Sequence, residues 1–119
     1  MSKRILIVED EPNIVESLSF LLTREGFSVA SEKDGAEALA KVRAYLPDLV
    51  ILDVMLPNRS GFDILRELKT LGPLPKVLML TAKGQARDRS AAEDLSVDRF
   101  MTKPFANAEI IRAVKEMLA

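Results

Sequence analysis

Short apolar runs and longer mixed runs alternate along the chain. Nearly continuous stretches of aliphatic residues occupy positions 4–8, 49–52 and 77–80, and weaker apolar stretches occupy positions 28–31 and 99–101. A strand that is covered on both faces has such a continuous pattern, because neither face meets water. The pattern therefore predicts five strands, and the three richest in aliphatic residues are expected to be buried on both faces.

The segments between these strands have helical periodicity. The first helix is predicted at residues 12–24, where Pro12 suits the first turn and Gly26 suits the end of the helix. Asp34 and Ser60 each precede an acidic residue by three positions, which is the spacing of a capping box. Further helices are therefore predicted from residue 34 to Leu46, from residue 60 past Leu68, and at about 85–95 and 107–118.

Strands and helices alternate strictly through the five predicted pairs. Such alternation is typical of a single α/β domain in which helices cover both faces of a parallel sheet. Right-handed crossovers leave few arrangements of the strands. In these doubly wound domains, ligands bind beyond the carboxyl ends of the strands, where the strand order reverses.

Composition narrows the class of protein. The chain has 119 residues, of which 48% are hydrophobic and 29% are charged, and this balance fits one ordinary compact domain. The net charge of -1 provides no basic field for nucleic acid or for an anionic membrane. No apolar run approaches the ~20 residues of a membrane span, and Glu9 to Glu11 interrupt any signal-peptide core. We therefore expect a cytoplasmic protein that binds neither nucleic acid nor membrane.

Two residue types are absent from the chain, which has no Cys and no His. Thiolate catalysis, disulfides and Ser-His-Asp catalysis are therefore excluded, together with most zinc sites. A general base must be a carboxylate or a Lys, and a bound metal must be a hard ion with oxygen ligands.

Five polar residues follow predicted strands and are expected at one edge of the sheet: Glu9, Asp10, Asp53, Thr81 and Lys103. Three neighbouring carboxylates repel one another unless cations join them. Lys103 supplies one positive charge, and Mg2+ is the divalent ion that best suits such a set of ligands. An ionised Asp53 could then attack phosphorus, while Thr81 and Lys103 could bind the oxygens of a transferring phosphoryl group.

Each of these residues also has an ordinary structural interpretation. Acids are common in the first turn of a helix, Asp53 could belong to a turn, Thr81 suits a strand, and Lys is usually solvated. Taken alone, the ordinary interpretation is favoured for Glu9, Asp10 and Lys103. The conjunction of all the residues at one edge favours the chemical interpretation.

Four motifs occur in order along the chain: Ile7-Val8-Glu9-Asp10-Glu11, then Asp48-Leu49-Val50-Ile51-Leu52-Asp53-Val54-Met55-Leu56-Pro57 with Gly61, then Leu80-Thr81-Ala82, and finally Thr102-Lys103-Pro104-Phe105. With these motifs the chain resembles a bacterial response-regulator receiver domain across essentially its whole length. Each motif is weak alone, but four at family-like spacing are specific. The resemblance implies one flavodoxin-like (βα)5 domain over residues 1–119, with strand order 2-1-3-4-5 as in chemotaxis regulators.

The resemblance also implies a function and a site. Asp53 would accept a phosphoryl group from a sensor histidine kinase or a histidine phosphotransfer protein in a Mg2+-dependent reaction. The resemblance assigns the remaining roles to Glu9, Asp10 and the Met55 backbone carbonyl as further metal ligands, to Thr81 and Lys103 as phosphoryl-binding groups, to Phe100 as a switch aromatic beside Thr81, and to Pro104 as a cis-proline. Such a domain assists its own phosphorylation and dephosphorylation but is a signalling domain rather than an enzyme.

The output surface is expected on the face formed by the polar fourth helix, the fifth strand and the fifth helix, from about residue 83 to residue 105. An output partner or an effector domain would bind there, and the chain could be a stand-alone receiver or the input domain of a longer transcriptional regulator. A homodimer formed on phosphorylation is also left open. However, Arg99 stands where dimerising relatives have an acid, and this disturbs the charge pattern of that dimer.

Two residues bear on the lifetime of the phosphoryl group. The family modulates this lifetime at the positions of Met55 and Lys83, and neither side chain is an acid or amide that orients water. Slow self-hydrolysis is therefore expected.

Two rival hypotheses are a Mg2+-dependent phosphatase with an Asp nucleophile and an interaction module without phosphoryl chemistry. The first lacks a general acid at Met55, and the second leaves the complete set of polar residues unexplained.

Overall fold

The computed structural model describes residues 2–72, 75–82, 90 and 96–119. Its five strands form one sheet in the order β2-β1-β3-β4-β5, and every neighbouring pair is parallel. The strands are β1 Arg4–Val8, β2 Ser28–Glu32, β3 Leu49–Asp53, β4 Lys76–Ala82 and β5 Arg99–Lys103. The helices among the described residues are α1 Pro12–Arg24, α2 Ala38–Tyr45, α3 Gly61–Thr70 and a C-terminal helix at Asn107–Met117.

Two hydrophobic clusters lie on opposite faces of the sheet. On one face, strand residues such as Leu6 and Val50 pack with α2 and α3. On the other face, Ile7 and Ile51 pack with α1 and the C-terminal helix. Alternate residues of β1 and β3 therefore enter different clusters, and residues 49–52 of β3 are fully buried. This explains why the central strands are continuous in aliphatic residues rather than alternating with polar ones.

The predicted fold class is confirmed: a doubly wound α/β domain with five parallel strands in the order 2-1-3-4-5. The strands extend slightly further than the apolar runs, so that Asp53 and Lys103 are the last residues of β3 and β5, and Thr81 lies within β4. Ladder hydrogen bonds continue through these polar residues because pairing depends on the backbone. The polar helix predicted at 85–95 falls outside the described residues, apart from residue 90.

The start and end of the second helix differ from the prediction. Asp34 does act as a cap, because its Oδ1 accepts a hydrogen bond of 2.9 Å from the Ala36 amide. However, the capped element is a short 3-10 helix, Gly35–Glu37, which leads into α2. The helix was predicted to reach Leu46, but Leu46 is the left-handed C-cap residue with φ 54 and is 69% exposed.

The start of α3 lies directly against the end of β3. Ser60 caps the helix by accepting a hydrogen bond of 3.3 Å from the Asp63 amide, as its spacing predicted. A Cβ atom on Gly61 would lie 2.2 Å from the Asp53 carbonyl oxygen, so only glycine fits at this position. The helix is thus fixed close to the backbone of Asp53. Among the described residues, no helix is long and apolar enough to cross a membrane.

Candidate functional site

The carboxyl ends of the central strands bring the predicted polar residues together. In the sheet, Asp53 is paired with Leu80, and Ala82 is paired with Lys103, so that β3, β4 and β5 end side by side. Glu9 follows β1, and its amide donates a hydrogen bond of 3.1 Å to the Glu32 carbonyl. This bond extends the β1–β2 pairing by one residue and fixes the point at which the chain leaves the sheet.

Three carboxylates converge at this edge. Glu9, Asp10 and Asp53 each offer an oxygen atom, and these atoms all lie within 4.8 Å of one another. Glu9 is fully buried and Asp53 is 4% exposed, whereas Asp10 is exposed to solvent. The cluster thus has two members in the interior and one at the surface, where a small cation could enter.

Within the described part of the chain, Lys103 is the cation that contacts the acidic cluster. Its Nζ atom lies 2.7 Å from Glu9 Oε1, 3.4 Å from Glu11 Oε1 and 3.5 Å from Asp53 Oδ2. The Lys103–Pro104 peptide bond is cis, as the resemblance implied. The sequence grouped Glu11 with the other acids of its motif but assigned it no role, and the distance shows that it contacts Lys103.

The buried carboxyl groups are harder to ionise than ordinary acids. Burial is the largest cause that raises the pKa of Glu9 to about 7, and the neighbouring Asp53 adds to it while Lys103 opposes it. Burial also raises the pKa of Asp53, against the opposing contacts with Glu9, Lys103 and the Met55 amide. For Lys103, burial lowers the pKa, but the acids around it raise the pKa overall above its ordinary value.

Among the described residues, one buried oxygen of this cluster is contacted by an ion pair without a well-formed hydrogen bond. Glu9 Oε1 is buried and receives no hydrogen bond of acceptable geometry from the part of the chain that is described, although it forms an ion pair with Lys103. The other oxygen, Oε2, accepts from the Asp10 and Glu11 amides at 3.0 and 3.3 Å. A buried acceptor beside two further carboxylates suits a hard divalent cation, so these residues fit Mg2+.

The remaining predicted residues that the structure describes lie in β4, in β5 and in the loop after β3. Thr81 is fully buried in β4, one residue beyond the Leu80 that pairs with Asp53. Phe100 in β5 is partly buried and packs against the hydrophobic cluster formed with α2 and α3 on one face of the sheet. The Met55 amide donates to the Asp53 carboxyl group, while the Met55 side chain is 72% exposed. Lys83 lies outside the described residues.

With this site at the carboxyl edge of a 2-1-3-4-5 sheet, the chain belongs to the response regulator receiver domain family. The sequence model of that family matches residues 5–115. A CheY-like response regulator receiver domain protein from Methanospirillum hungatei has the same fold with a TM-score of 0.92 and 29% identity. The similarity covers 99% of this chain and 94% of that one.

One curated relative is a transcriptional regulatory protein, and another is a DNA-binding response regulator. The chain is 42% identical over 118 residues to the alkaline phosphatase synthesis transcriptional regulatory protein PhoP of Bacillus subtilis. The aligned region covers 99% of this chain and 49% of that protein. It is 40% identical over 118 residues to the DNA-binding response regulator MtrA of Mycolicibacterium smegmatis, covering 99% of this chain and 51% of that protein. The chain therefore spans about half the length of the curated relatives it matches.

Proposed function

We propose that this receiver domain accepts a phosphoryl group on Asp53, in a Mg2+-dependent reaction, from a sensor histidine kinase or a histidine phosphotransfer protein. The observation that carries the proposal is the convergence of Glu9, Asp10 and Asp53, whose oxygen atoms lie within 4.8 Å of one another, with Lys103 3.5 Å from Asp53. The chain has no His, so a phosphohistidine donor must be a different protein or domain.

Asp53 is the nucleophile in this proposal. One of its carboxylate oxygens attacks phosphorus, and the bond from phosphorus to the imidazole nitrogen of the donor breaks, with the electron pair leaving on that nitrogen. The Met55 amide, which donates to the Asp53 carboxyl group, orients the attacking carboxylate. Because Asp53 is almost fully buried, water has little access to it and the charges around it act strongly.

The charge of the transferring group is balanced by nearby side chains. When bound, Mg2+ would neutralise phosphoryl oxygens and keep the carboxylates ionised. Glu9, Asp10, Asp53 and the Met55 carbonyl are the groups proposed to hold it. The ammonium of Lys103 and the hydroxyl of Thr81 would bind two other phosphoryl oxygens.

The donor protein would approach over the edge of the sheet next to Lys103. A groove of about 480 Å³ opens there, lined by residues of α1 together with Lys103, Pro104 and Phe105. Further along α1, the side chain of Phe20 is 60% exposed. An exposed aromatic residue on the helix that also lines this groove suits a transient protein interface.

Phosphorylation would also change the conformation of the surface formed by β5 and the C-terminal helix. The added oxygens would draw Thr81 inward, and Phe100 would follow it, so that β5 and the C-terminal helix present an altered surface. An output partner or an effector domain would read that surface. The names of the relatives, a transcriptional regulator and a DNA-binding regulator, support an effector that acts on transcription.

Incubation with acetyl phosphate and Mg2+, followed by intact-mass spectrometry, tests the proposal. The wild-type chain is expected to gain the mass of one phosphoryl group, and the gain should disappear with excess EDTA and in the Asp53→Asn variant. Asp48→Asn is the matched control, since Asp48 lies at the other end of β3 where its carboxylate accepts from the Arg4 amide. No adduct on the wild type, or an equal adduct on Asp53→Asn, would refute the proposal.

A further inference from the structure

Two loops at the carboxyl edge of the sheet are joined by a side-chain contact. Asn58 Nδ2, in the loop formed by residues 54–60, donates a hydrogen bond of 2.9 Å to Asp34 Oδ1, in the loop after β2. Beside it, the Gly35 amide donates to the Pro57 carbonyl at 3.1 Å. A Cβ atom on Gly35 would lie 2.2 Å from the Arg59 carbonyl oxygen, so the two backbones are in close contact. We call the Asp34–Asn58 contact the loop clip.

The loop clip connects to the acidic cluster through β2. The Asp34 amide donates to Glu32 Oε2 at 3.1 Å, and the Glu32 carbonyl accepts from the Glu9 amide at 3.1 Å. Residues 54–60 are also held at their two ends, because the Val54 amide donates to the Leu80 carbonyl and the Gly61 amide donates to the Val54 carbonyl. The clip thus holds the middle of a loop whose ends are already fixed.

Met55 makes this geometry relevant to the site. It lies in the same loop, and its amide donates to the carboxyl group of Asp53. Asn58 itself has φ 69, a left-handed conformation that Asn adopts more readily than most other residues and that a side-chain hydrogen bond can support. The acceptor on Asp34 supplies such support, and hydrogen bonds to a charged acceptor are stronger than neutral ones.

We propose that Asp34 and Asn58 are positioning residues: their contact fixes loop 54–60 so that the Met55 backbone faces Asp53 and completes the Mg2+ site. This inference rests on the proposed function of that site. Neither side chain touches the acidic cluster, so both act through the loop. Contacts that orient metal ligands without touching the metal typically contribute to metal affinity. Because the Asp34–Asn58 contact acts on Met55 only through the loop, its loss is expected to lower the affinity for Mg2+ about fivefold.

Substitutions can separate the clip from the helix cap that Asp34 also provides. Asp34→Ser keeps an N-cap oxygen for the Ala36 amide but is too short to reach Asn58. Asp34→Asn keeps an acceptor for both bonds and is the conservative control. Asn58→Gly breaks the clip from the other side without backbone strain, because glycine tolerates positive φ. Asp34 is partly exposed and Asn58 is exposed, so all three variants are expected to fold.

Direct titration with Mg2+ alone, by calorimetry in the absence of any phosphoryl donor, measures the effect. Asp34→Ser and Asn58→Gly should each raise the Kd about fivefold, and the double variant should be no weaker than either single variant because both remove one contact. Asp34→Asn should stay within about twofold of the wild type. The urea midpoint of each variant in EDTA reports any general loss of stability.

The outcomes distinguish this inference from the proposed function. If the wild type binds Mg2+ and Asp34→Ser binds it equally well, the positioning role of the loop clip is refuted, whereas the metal site is not. If the effects of the two single variants add in the double variant, the residues act separately and the clip is again refuted. If the wild type binds no Mg2+, the metal site itself is refuted, and the positioning role fails with it.

Discussion

The ammonium of Lys103 lies 2.7 Å from Glu9 Oε1 but 3.5 Å from Asp53 Oδ2. Its shorter ion pair is therefore with a proposed metal ligand and not with the proposed phosphoacceptor. Glu9 Oε1 is also a buried oxygen that receives no hydrogen bond of acceptable geometry from the described residues. In the proposed function, Lys103 and a divalent cation would compete for the same carboxylate, and a cation bound at Glu9 would release Lys103 towards the phosphoryl group on Asp53.

This competition predicts opposite effects of one substitution. Lys103→Met should tighten Mg2+ binding about fivefold, because it removes a positive charge next to the metal ligands. The same variant should slow phosphorylation of Asp53 at least about tenfold at saturating Mg2+, because it removes a cation from the transferring group. Calorimetry and intact-mass kinetics measure the two effects. Lys3→Met, an exposed position at the other end of β1, is the control. Weaker Mg2+ binding by Lys103→Met would contradict the competition.

The raised pKa of Glu9 predicts how stability depends on pH. Its pKa is about 7 in the folded protein against an ordinary value of 4.5, so between these values the folded chain holds a proton that the unfolded chain has released. The free energy of unfolding without metal should therefore fall as pH rises through this window, by about 2–3 kcal/mol. The raised pKa of Asp53 acts in the same direction.

Urea unfolding in EDTA at pH 5 and pH 8 measures this dependence. Glu9→Gln should flatten most of it, since the amide does not titrate. Glu16→Gln, an exposed change on α1, should leave it as in the wild type. Because ionised carboxylates bind Mg2+ more strongly, saturating Mg2+ should oppose the loss of stability at pH 8. A wild type that is more stable at pH 8 than at pH 5 in EDTA would contradict the assignment.

Gly61 links the stability of the fold to the geometry of Asp53. In Gly61→Ala, the new Cβ atom would lie 2.2 Å from the Asp53 carbonyl oxygen and 2.9 Å from Val54 Cα, so α3 or the end of β3 must shift. We expect a loss of about 2–3 kcal/mol in the free energy of unfolding, together with weaker Mg2+ binding. Urea unfolding and calorimetry measure the two quantities.

Gly26→Ala provides the comparison for this prediction. Gly26 has φ +96, and a Cβ atom added there would meet no atom within 4 Å, so its substitution introduces backbone strain without a steric clash. It should cost about 1–2 kcal/mol and leave Mg2+ binding unchanged. If Gly61→Ala were no more destabilising than Gly26→Ala, the close approach of α3 to Asp53 would not constrain the fold.

The sheet and the gathering of acids could be predicted from the sequence for a simple reason. Burial on both faces makes β1 and β3 continuous in aliphatic residues, and parallel strands place their carboxyl ends at one edge. The resemblance then supplied the strand order. Asp53 and Lys103 could be placed near each other because each follows a predicted strand of the same sheet.

Other features depend on distances that the sequence does not contain. That Lys103 lies closer to Glu9 than to Asp53 depends on the relative reach of side chains from β1, β3 and β5. The clip between Asp34 and Asn58 joins residues 24 positions apart through a backbone conformation that no periodicity encodes. Leu46 matched the helical spacing, but the helix ended there and left the side chain exposed.

The side chain of Met55 predicts a long-lived phosphoryl group. Met55 lies two residues after Asp53, and its thioether is 72% exposed and can neither donate a hydrogen bond to water nor act as a base. We expect a phosphoryl half-life of many minutes or longer. Met55→Asn supplies an amide that can orient water beside the acyl phosphate, so it should shorten the half-life about fivefold or more.

Intact-mass spectrometry after removal of acetyl phosphate follows this decay with Mg2+ present. Met55→Leu is the matched control, because it keeps an apolar side chain of similar volume and leaves the backbone carbonyl in place. It should decay at the wild-type rate. A wild-type half-life of seconds would contradict the prediction, since some other group would then have to activate water. Equal decay of Met55→Asn and Met55→Leu would show that this side chain does not control access of water to the phosphoryl group.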